Sequence, residues 1–184
     1  IRCMGIFKVI RNTNDELQYL YNVLNYTMGI HTDYDKRYSP NVDIYHAYEQ
    51  FLLVKKYFGK TSGNPAFHFI VVYDARSTWG DNYERAESMS RSIASYFSDK
   101  YQIVYAIHRK LCSKKYGCCS SVYHAHFVMN SVSYIDGTMF SGNRSELYAF
   151  LDYIKQVTGD KSWITQYGSE KGNGCQGVSD AVAV

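Results

Sequence analysis

Apolar residues recur at helical spacing in four parts of the chain. In the first, Leu17, Leu20 and Leu24 lie three or four residues apart and Gly29 follows as a stop signal, which predicts a helix over residues 14–28. The same spacing predicts three further helices, over residues 43–58, 81–97 and 144–157. The sequence therefore predicts four amphipathic helices, each with one apolar side to bury.

Runs of β-branched and aromatic residues predict strands between these helices. They lie at residues 66–73, 101–108 and 122–133, and a turn at 135–138 predicts a hairpin into a short strand that ends at Phe140. Strands and helices mix without strict alternation. This arrangement favours the α+β class, with a central and largely antiparallel sheet flanked by helices.

The length of 184 residues is sufficient for one domain with its own core. We expect the domain to cover residues 1–165 and a loosely ordered tail to cover 166–184, because the sequence becomes rich in Gly and Ser after Trp163. The chain begins Ile1-Arg2, which suggests processing or a domain of a longer protein. No apolar run reaches the ~18 residues of a membrane span.

Tyrosine and the placement of charge are the unusual features of the composition. The chain has 19 Tyr, and this residue serves equally in strands, in base stacking and as a nucleophile. The net charge of +3 conceals two acid-free blocks, at 51–73 and 100–135. If the blocks fold side by side they form a positive patch for phosphates; otherwise they are solvated lysines. Their basic residues are Lys55, Lys56, Lys60, Lys100, Arg109, Lys110, Lys114 and Lys115.

The cysteines indicate a reducing compartment. There are five, an odd number without the spacing of secreted scaffolds, so we expect free thiols and a cytoplasmic location. Cys112, Cys118 and Cys119 form a possible zinc-binding group, but they lack the paired C-x₂-C spacing of structural zinc sites. Small buried or loop residues are the other interpretation of these three.

Histidines on two neighbouring strands form the strongest chemical pattern. Side chains alternate along a strand, so His124 and His126 share a face of the 122–133 strand, with Asn130 on the same face in a supporting position. His108 ends the preceding strand and lies beside His124 if the two strands pair antiparallel. Three imidazoles would then form a divalent metal site with open positions. The remaining histidines are expected to be ordinary packed or surface residues: His31, His46 and His68.

Several segments resemble the relaxase/mobilization nucleases of the HUH endonuclease superfamily. Tyr-His-Ala-His-Phe-Val-Met-Asn-Ser-Val at 123–132 resembles their third motif. The resemblance extends over most of residues 10–160, and its other matching segments are 51–60, 66–70, 136–140 and 144–148. It implies a relaxase-like sheet related to the ferredoxin and RRM cores.

The resemblance also implies a reaction. The histidines would hold Mg²⁺ or Mn²⁺ on a scissile phosphate while a tyrosine attacks, which leaves a 5′-phosphotyrosine and a free 3′-OH. The implied substrate is single-stranded DNA at an origin of transfer, nicked to mobilise a plasmid or an integrative conjugative element with accessory relaxosome proteins. Basic residues would track the strand: Lys55, Lys56, Lys60, Arg109, Lys110, Lys114 and Lys115.

The first helix offers three candidates for the nucleophile. At ~100° per residue, Tyr21 lies on the leucine stripe and is expected in the core, whereas Tyr19 and Tyr26 project together from the other side. Residues 21–29 resemble the family's first motif, with the nucleophile matched to Tyr26. The catalytic candidate is therefore Tyr26, with Tyr19 in reserve.

One departure from the family pattern concerns the metal site. The family commonly has an acid two residues after the first histidine, where this chain has Lys110, and a longer basic insertion follows. A carboxylate that would orient a ligand is missing there, so another acid supplies it or activity is weakened. Three histidines also suit Mn²⁺, Zn²⁺, Co²⁺ or Ni²⁺ better than Mg²⁺.

Two other classes of protein fit part of the sequence. A non-catalytic nucleic-acid-binding domain would use the tyrosines and the basic blocks but gives the His-x-His element no purpose. A zinc-stabilised interaction domain would use the cysteines but not the N-terminal tyrosine helix. Both predict that substituting Tyr26 by Phe leaves the behaviour of the protein unchanged.

Overall fold

The computed structural model describes residues 5–11, 16–29, 36–73, 82–110, 122–159 and 163–169. Within these ranges the helices are α1 (Glu16–Met28), α2 (Ala47–Tyr57), α3 (Tyr83–Ser98) and α4 (Arg144–Thr158). The strands are β1 (Gly5–Arg11), β2 (Arg37–Tyr38), β3 (Ala66–Val72), β4 (Tyr101–Lys110), β5 (Val122–Ser133) and β6 (Trp163–Ser169). None of these helices is long and apolar enough to cross a membrane.

All the strands belong to one sheet with the order β2-β4-β5-β3-β1-β6. Neighbouring strands are antiparallel except for β1 and β6, which run parallel. The predicted α+β class with a largely antiparallel sheet is confirmed.

Pairing between distant parts of the chain produces the elements that the sequence pattern missed. The pattern predicts neither β1 nor β2, and it assigns part of β6 to a tail. Because β6 continues to Ser169, the expected domain boundary at residue 165 falls inside a strand, and residues 170–184 lie outside the described part. The predicted short strand that ends at Phe140 is reduced to one bridge between Val132 and Met139.

A close approach of backbone and ring accounts for the first residue of β1. Gly5 pairs with Trp163 at the start of β6. A Cβ atom at Gly5 would lie 2.7 Å from the Trp163 ring, so any larger residue would push the indole away. Glycine there lets β6 join the edge of the sheet.

Local capping fixes the ends of α3 and α4. The Asn82 side chain accepts from the backbone N–H of Arg85 to begin α3. Asn143 and Glu146 form a reciprocal capping box at α4, and Gly159 ends that helix with a left-handed φ of 68°. These signals are local, which is why the sequence predicts both helices with nearly correct bounds.

One face of the sheet packs against α3 and α4. Its core is dominated by fully buried phenylalanines, among which Phe150 of α4 lies with its ring centroid 4.7 Å from that of Phe97 and 5.3 Å from that of Phe69. Removing one such ring from water contributes roughly 1.5–3 kcal/mol. This aromatic core supplies most of the apolar packing in the described part of the chain.

The other face packs against α1 and α2 in a smaller aliphatic core. Leu20 and Val23 of α1 and Phe51 of α2 meet Val104 of β4 and Val128 of β5. Both helices contact β5, which is the central strand of this face. Because side chains alternate, the residues of β5 that do not enter the aromatic core face α1 and α2, and these include its histidines.

Candidate active site

The register of β4 and β5 brings the three predicted histidines together. His108 pairs directly with His124 in the antiparallel ladder, and His126 lies two residues further along β5 on the same face. Ala125 and Phe127 alternate with the histidines of β5 and are buried in the aromatic core. Packing on that opposite face therefore fixes the register of the strands.

The three imidazoles form a tight group. One ring nitrogen from each histidine lies within 4.8 Å of the others. The ring centroid of His126 is 4.6 Å from that of His108 and 5.1 Å from that of His124. His108 and His124 are half-buried, whereas only 2% of His126 is exposed. The group therefore has a buried base and a rim that reaches solvent.

The surroundings favour the neutral form of these rings. Burial lowers the pKa of His126 well below its ordinary value, and the neighbouring histidines lower it further. Burial also lowers the pKa of His108, although a hydrogen bond to the Thr27 carbonyl opposes this. A neutral imidazole keeps one nitrogen lone pair, which is the form that binds a metal ion.

The donor set fits a transition metal ion. In the described part of the chain, Nε2 of His126 is buried without a hydrogen-bond partner, so its lone pair is available. Nitrogen ligands suit Mn²⁺ or Zn²⁺ better than Mg²⁺, and no acidic side chain joins the group among the described residues. The zinc alternative based on cysteines lies outside the described residues: Cys112, Cys118 and Cys119.

Tyr26 of α1 lies over this group. Its ring centroid is 5.3 Å from that of His126 and 6.3 Å from that of His108. The side chain is 59% exposed, so an approaching ligand can reach it from solvent.

Hydrogen bonds hold the end of α1 above the sheet. His108 Nε2 lies 3.3 Å from the carbonyl oxygen of Thr27, the residue after Tyr26. The guanidinium of Arg37 on β2 donates to the carbonyl of Met28 at 2.5 Å. A cation at the C-terminus of a helix also complements its dipole. Both bonds fix the last turn of α1, which carries Tyr26.

The expected orientation of the other two tyrosines is wrong. Tyr19 is only 2% exposed and packs in the aliphatic core, whereas Tyr21 is 50% exposed. The buried stripe of α1 runs through Tyr19 and Val23 and leaves Leu17 about half exposed. The predicted stripe relied on the leucines alone, so it was rotated around the helix. Tyr19 is therefore a buried packing residue.

Asn130 does not join the histidines. Its amide donates to the carbonyl of Phe51 and to Oε1 of Gln102, and these bonds tie α2 to the sheet. Asn130 lies four positions after His126 along β5, which is about 13 Å at ~3.3 Å per residue. The predicted supporting position is therefore a buried structural position on the same face.

The first basic block lies at the other end of the sheet. Lys55 is 4% exposed and donates to the Ser131 hydroxyl at 2.8 Å, because it follows Phe51 by one helical turn on the packed side of α2. The predicted contact of Lys55 with DNA is therefore wrong. Lys56 and Lys60 are exposed, and the backbone N–H of Lys60 donates to the carbonyl of Lys55, so both lie at the same end of α2 as Lys55.

Of the predicted DNA-contacting residues in the second basic block, only Arg109 has a side chain in the described part of the structure. The Arg109 guanidinium lies 5.7 Å from the centroid of the Tyr123 ring, on the face opposite to His108. Lys110 ends β4, but its side chain lies outside the described part of the structure. The other predicted DNA-contacting residues of this block also lie outside it: Lys114 and Lys115.

Sequence reasoning missed His68 as a neighbour of the group. His68 is 3% exposed, as expected for a packed residue, but its Nε2 lies 2.9 Å from Nδ1 of His126. Burial lowers its pKa to about 3, helped by nearby positive groups. The contact depends on the register of β3 and β5, in which His68 pairs with Val128. The sequence did carry a signal for this contact. Side chains alternate along a strand, and once β3 pairs with β5, His68 lies on the same face as His124 and His126.

Lys8 of β1 is the second missed residue. Phe7 and Val9 point into the aromatic core, so Lys8 faces the histidine side. Its positive charge is one of the influences that lower the pKa of His68 and of His126. The alternation of apolar residues around Lys8 was the available signal.

Comparison with known proteins identifies one family. A family model described as relaxase, MobA/VirD2-like, nuclease domain, matches residues 25–163. Neither the search of curated proteins nor that of solved structures found a significant match.

Proposed function

Because the chain belongs to the relaxase family of MobA/VirD2-like nucleases, we propose that it nicks single-stranded DNA at an origin of transfer by attack of Tyr26. The observation that carries this proposal is the ring of Tyr26 at 5.3 Å from the ring of His126, above a group of three histidines. The family accounts for the nuclease class, and the residue roles are our proposal.

The three histidines would hold one divalent ion: His108, His124 and His126. When bound, such an ion supplies charge neutralisation at the phosphate oxygens and orients the phosphodiester. The Tyr26 oxygen attacks phosphorus and loses its proton, and the 3′ oxygen of the DNA leaves and takes up a proton. A P–O bond to Tyr26 replaces the P–O bond to the 3′ oxygen and the 5′ ester bond is kept, so attack by a 3′-OH reverses the reaction and reseals the strand.

Several features of the chain support a positioned nucleophile. The bonds of His108 to Thr27 and of Arg37 to Met28 restrain the end of α1, which limits the orientations that the Tyr26 ring samples. Lys8 adds a positive charge to the face that would receive the phosphate.

The remaining details of the proposal concern the biological context. We infer Mn²⁺ or Mg²⁺ as the ion, a plasmid or an integrative conjugative element as the DNA, and accessory relaxosome proteins as partners. The odd number of cysteines supports the cytoplasm as the compartment.

The direct test is capture of the covalent intermediate. Fluorescent single-stranded oligonucleotides tiled across both strands of the element that carries the gene are incubated with protein and Mn²⁺, then resolved under denaturing conditions. We expect one oligonucleotide to give an adduct that requires the ion and is absent from Tyr26→Phe, with the DNA on the Tyr26 peptide in mass spectrometry.

Tyr21→Phe is the matched control, because Tyr21 is an exposed tyrosine on the same helix that packs against Tyr48. It should retain the adduct at the level of the parent. An adduct that persists in Tyr26→Phe assigns the nucleophile to another residue. Ion-dependent binding of DNA without any adduct on the whole tiling set contradicts the enzyme and favours a binding domain.

A further inference from the structure

A fourth histidine contacts the proposed metal site from below. His68 of β3 is 3% exposed, and its Nε2 lies 2.9 Å from Nδ1 of His126. The ring centroids of the two histidines are 5.1 Å apart. In the antiparallel pair β3–β5, His126 pairs with Ile70 and His68 pairs with Val128, so the two imidazoles are diagonal neighbours on one face.

The direction of this hydrogen bond depends on the tautomer of each ring. An imidazole in its neutral form, which is the form that binds a metal ion, has one N–H and one lone pair. If His126 donates from Nδ1, the lone pair of its Nε2 is free. If His68 donates instead, the proton of His126 must sit on Nε2. Only the first arrangement allows Nε2 of His126 to bind a metal ion.

The outer nitrogen of each ring is buried, and a metal ion at the outer nitrogen of His126 is compatible only with the direction in which His126 donates. Nε2 of His126 is buried with no hydrogen-bond partner in the described part of the chain, and so is Nδ1 of His68. A metal ion at Nε2 would satisfy the former atom, which otherwise carries a cost of ~1–3 kcal/mol for a buried unpaired polar group.

A hydrogen-bond acceptor behind a histidine ligand is commonly a carboxylate, a backbone carbonyl or water. In this chain Lys110 stands at the position where the family commonly has an acid. No acidic side chain joins the histidine group in the described residues. The lone pair of a neutral imidazole is a weaker hydrogen-bond acceptor than a carboxylate, but it introduces no negative charge into the buried interior.

We propose that His68 is a positioning residue, which accepts from Nδ1–H of His126 and so keeps the Nε2 lone pair of His126 directed at the metal. This inference rests on the proposed metal site. It assigns to a buried strand residue the orienting role that the sequence left unfilled.

The test compares two substitutions that differ in hydrogen bonding. His68→Leu removes the acceptor, whereas His68→Gln offers an amide oxygen near the place of Nε2. Mn²⁺ affinity is measured by titration calorimetry without DNA. We expect His68→Leu to bind Mn²⁺ about 10- to 100-fold more weakly. His68→Gln should stay within about threefold of the parent, well below that loss.

A control variant separates positioning from packing. Phe69→Leu alters the adjacent residue of β3, which is fully buried on the opposite face. It should lower the stability to denaturant with no effect on Mn²⁺ affinity. If His68→Gln weakens Mn²⁺ binding as much as His68→Leu does, or if neither variant weakens it, a hydrogen-bond acceptor at this position has no effect on metal affinity and the proposal is overturned.

A second readout needs no metal and no DNA. In metal-free protein labelled with ¹⁵N-histidine, long-range nitrogen–proton spectra distinguish the two tautomers of each ring. We expect His126 as the Nδ1–H tautomer in the parent and in His68→Gln, and a mixture in His68→Leu. A parent His126 with its proton on Nε2 overturns the proposal even where Tyr26 forms its adduct. Loss of that adduct with the expected tautomer contradicts the proposed function alone.

Discussion

The two faces of the sheet are built from alternate residues of the same strands and have opposite characters. On β5, Tyr123 and Phe127 enter a core of aromatic rings beneath α3 and α4. Their neighbours His124 and His126 lie on the opposite face, and Tyr26 of α1 lies beside His126. One strand therefore contributes to both a dense apolar core and a group of titratable rings.

The aromatic face explains how the fold tolerates buried imidazoles. Desolvating His126 opposes folding unless its nitrogens are satisfied, whereas burying Phe127 drives folding. The aromatic face offsets this cost and pins the register of the strands. The histidine face is thereby positioned by residues that never contact it.

The largest loss of stability is expected from a cavity in the aromatic core. Phe150→Ala removes a fully buried ring that contacts Phe7, Phe69 and Phe97, and should lower the free energy of unfolding by about 3–5 kcal/mol. Mn²⁺ affinity of the folded fraction should not change. Urea denaturation measures the first quantity and calorimetry the second.

The matched control for that cavity is Leu53→Ala, which truncates a side chain that is 67% exposed on α2. It should alter the unfolding free energy by less than about 0.5 kcal/mol. Phe150→Ala could instead weaken Mn²⁺ binding as much as the loss of a ligand does. That result would show that packing on the aromatic face and metal binding on the histidine face are not independent.

The reciprocal change is made on the histidine face. His124→Ala removes one proposed ligand that is only half-buried, and should weaken Mn²⁺ binding at least about 100-fold, more than loss of a residue behind a ligand does. The unfolding free energy of the metal-free protein should change little.

His46→Ala is the control for this substitution, because His46 is exposed and contacts Asp43 instead of the group. It should bind Mn²⁺ as the parent does. Equal losses in the two variants would indicate nonspecific binding to histidines and contradict the proposed site.

A smaller effect distinguishes two positions within the histidine face itself. Asn130→Ala leaves the Phe51 carbonyl and the Gln102 side chain without the amide that they contact, and should cost about 1–3 kcal/mol of stability. Mn²⁺ affinity should stay at the level of the parent. Asn22→Ala, which removes only an exposed bond to Gln18, should be neutral in both measurements. Weaker Mn²⁺ binding in Asn130→Ala would show that Asn130 contributes to the metal site.

Local signals made much of the fold predictable from the sequence. The spacing of apolar residues and the caps Asn143 and Gly159 set α4, and the alternation along residues 122–133 set β5. The strands β1 and β6 escaped prediction because each depends on the other, and Gly5 and Trp163 lie at opposite ends of the described chain. No local window contains both partners.

The candidate site was predictable to the extent that it follows from one strand and its neighbour. His108, His124 and His126 meet because period-two alternation and an antiparallel ladder are simple rules. His68 was missed because its contact needs a second register, that of β3 with β5. The location of Lys55 was predicted wrongly because the presence of a charged residue in the sequence does not reveal whether its side chain is buried. In this structure its ammonium group is buried and donates to the Ser131 hydroxyl.

The parallel pairing of β1 with β6 has a consequence for how the chain folds during synthesis. β1 emerges from the ribosome before the other described elements, but its outer edge gains a partner only when β6 has been made. Until then an edge of unpaired amides is open to contacts with other nascent chains. Closure of this long-range pair is therefore expected to be slow, because the chain between the two strands loses loop entropy before their contacts form.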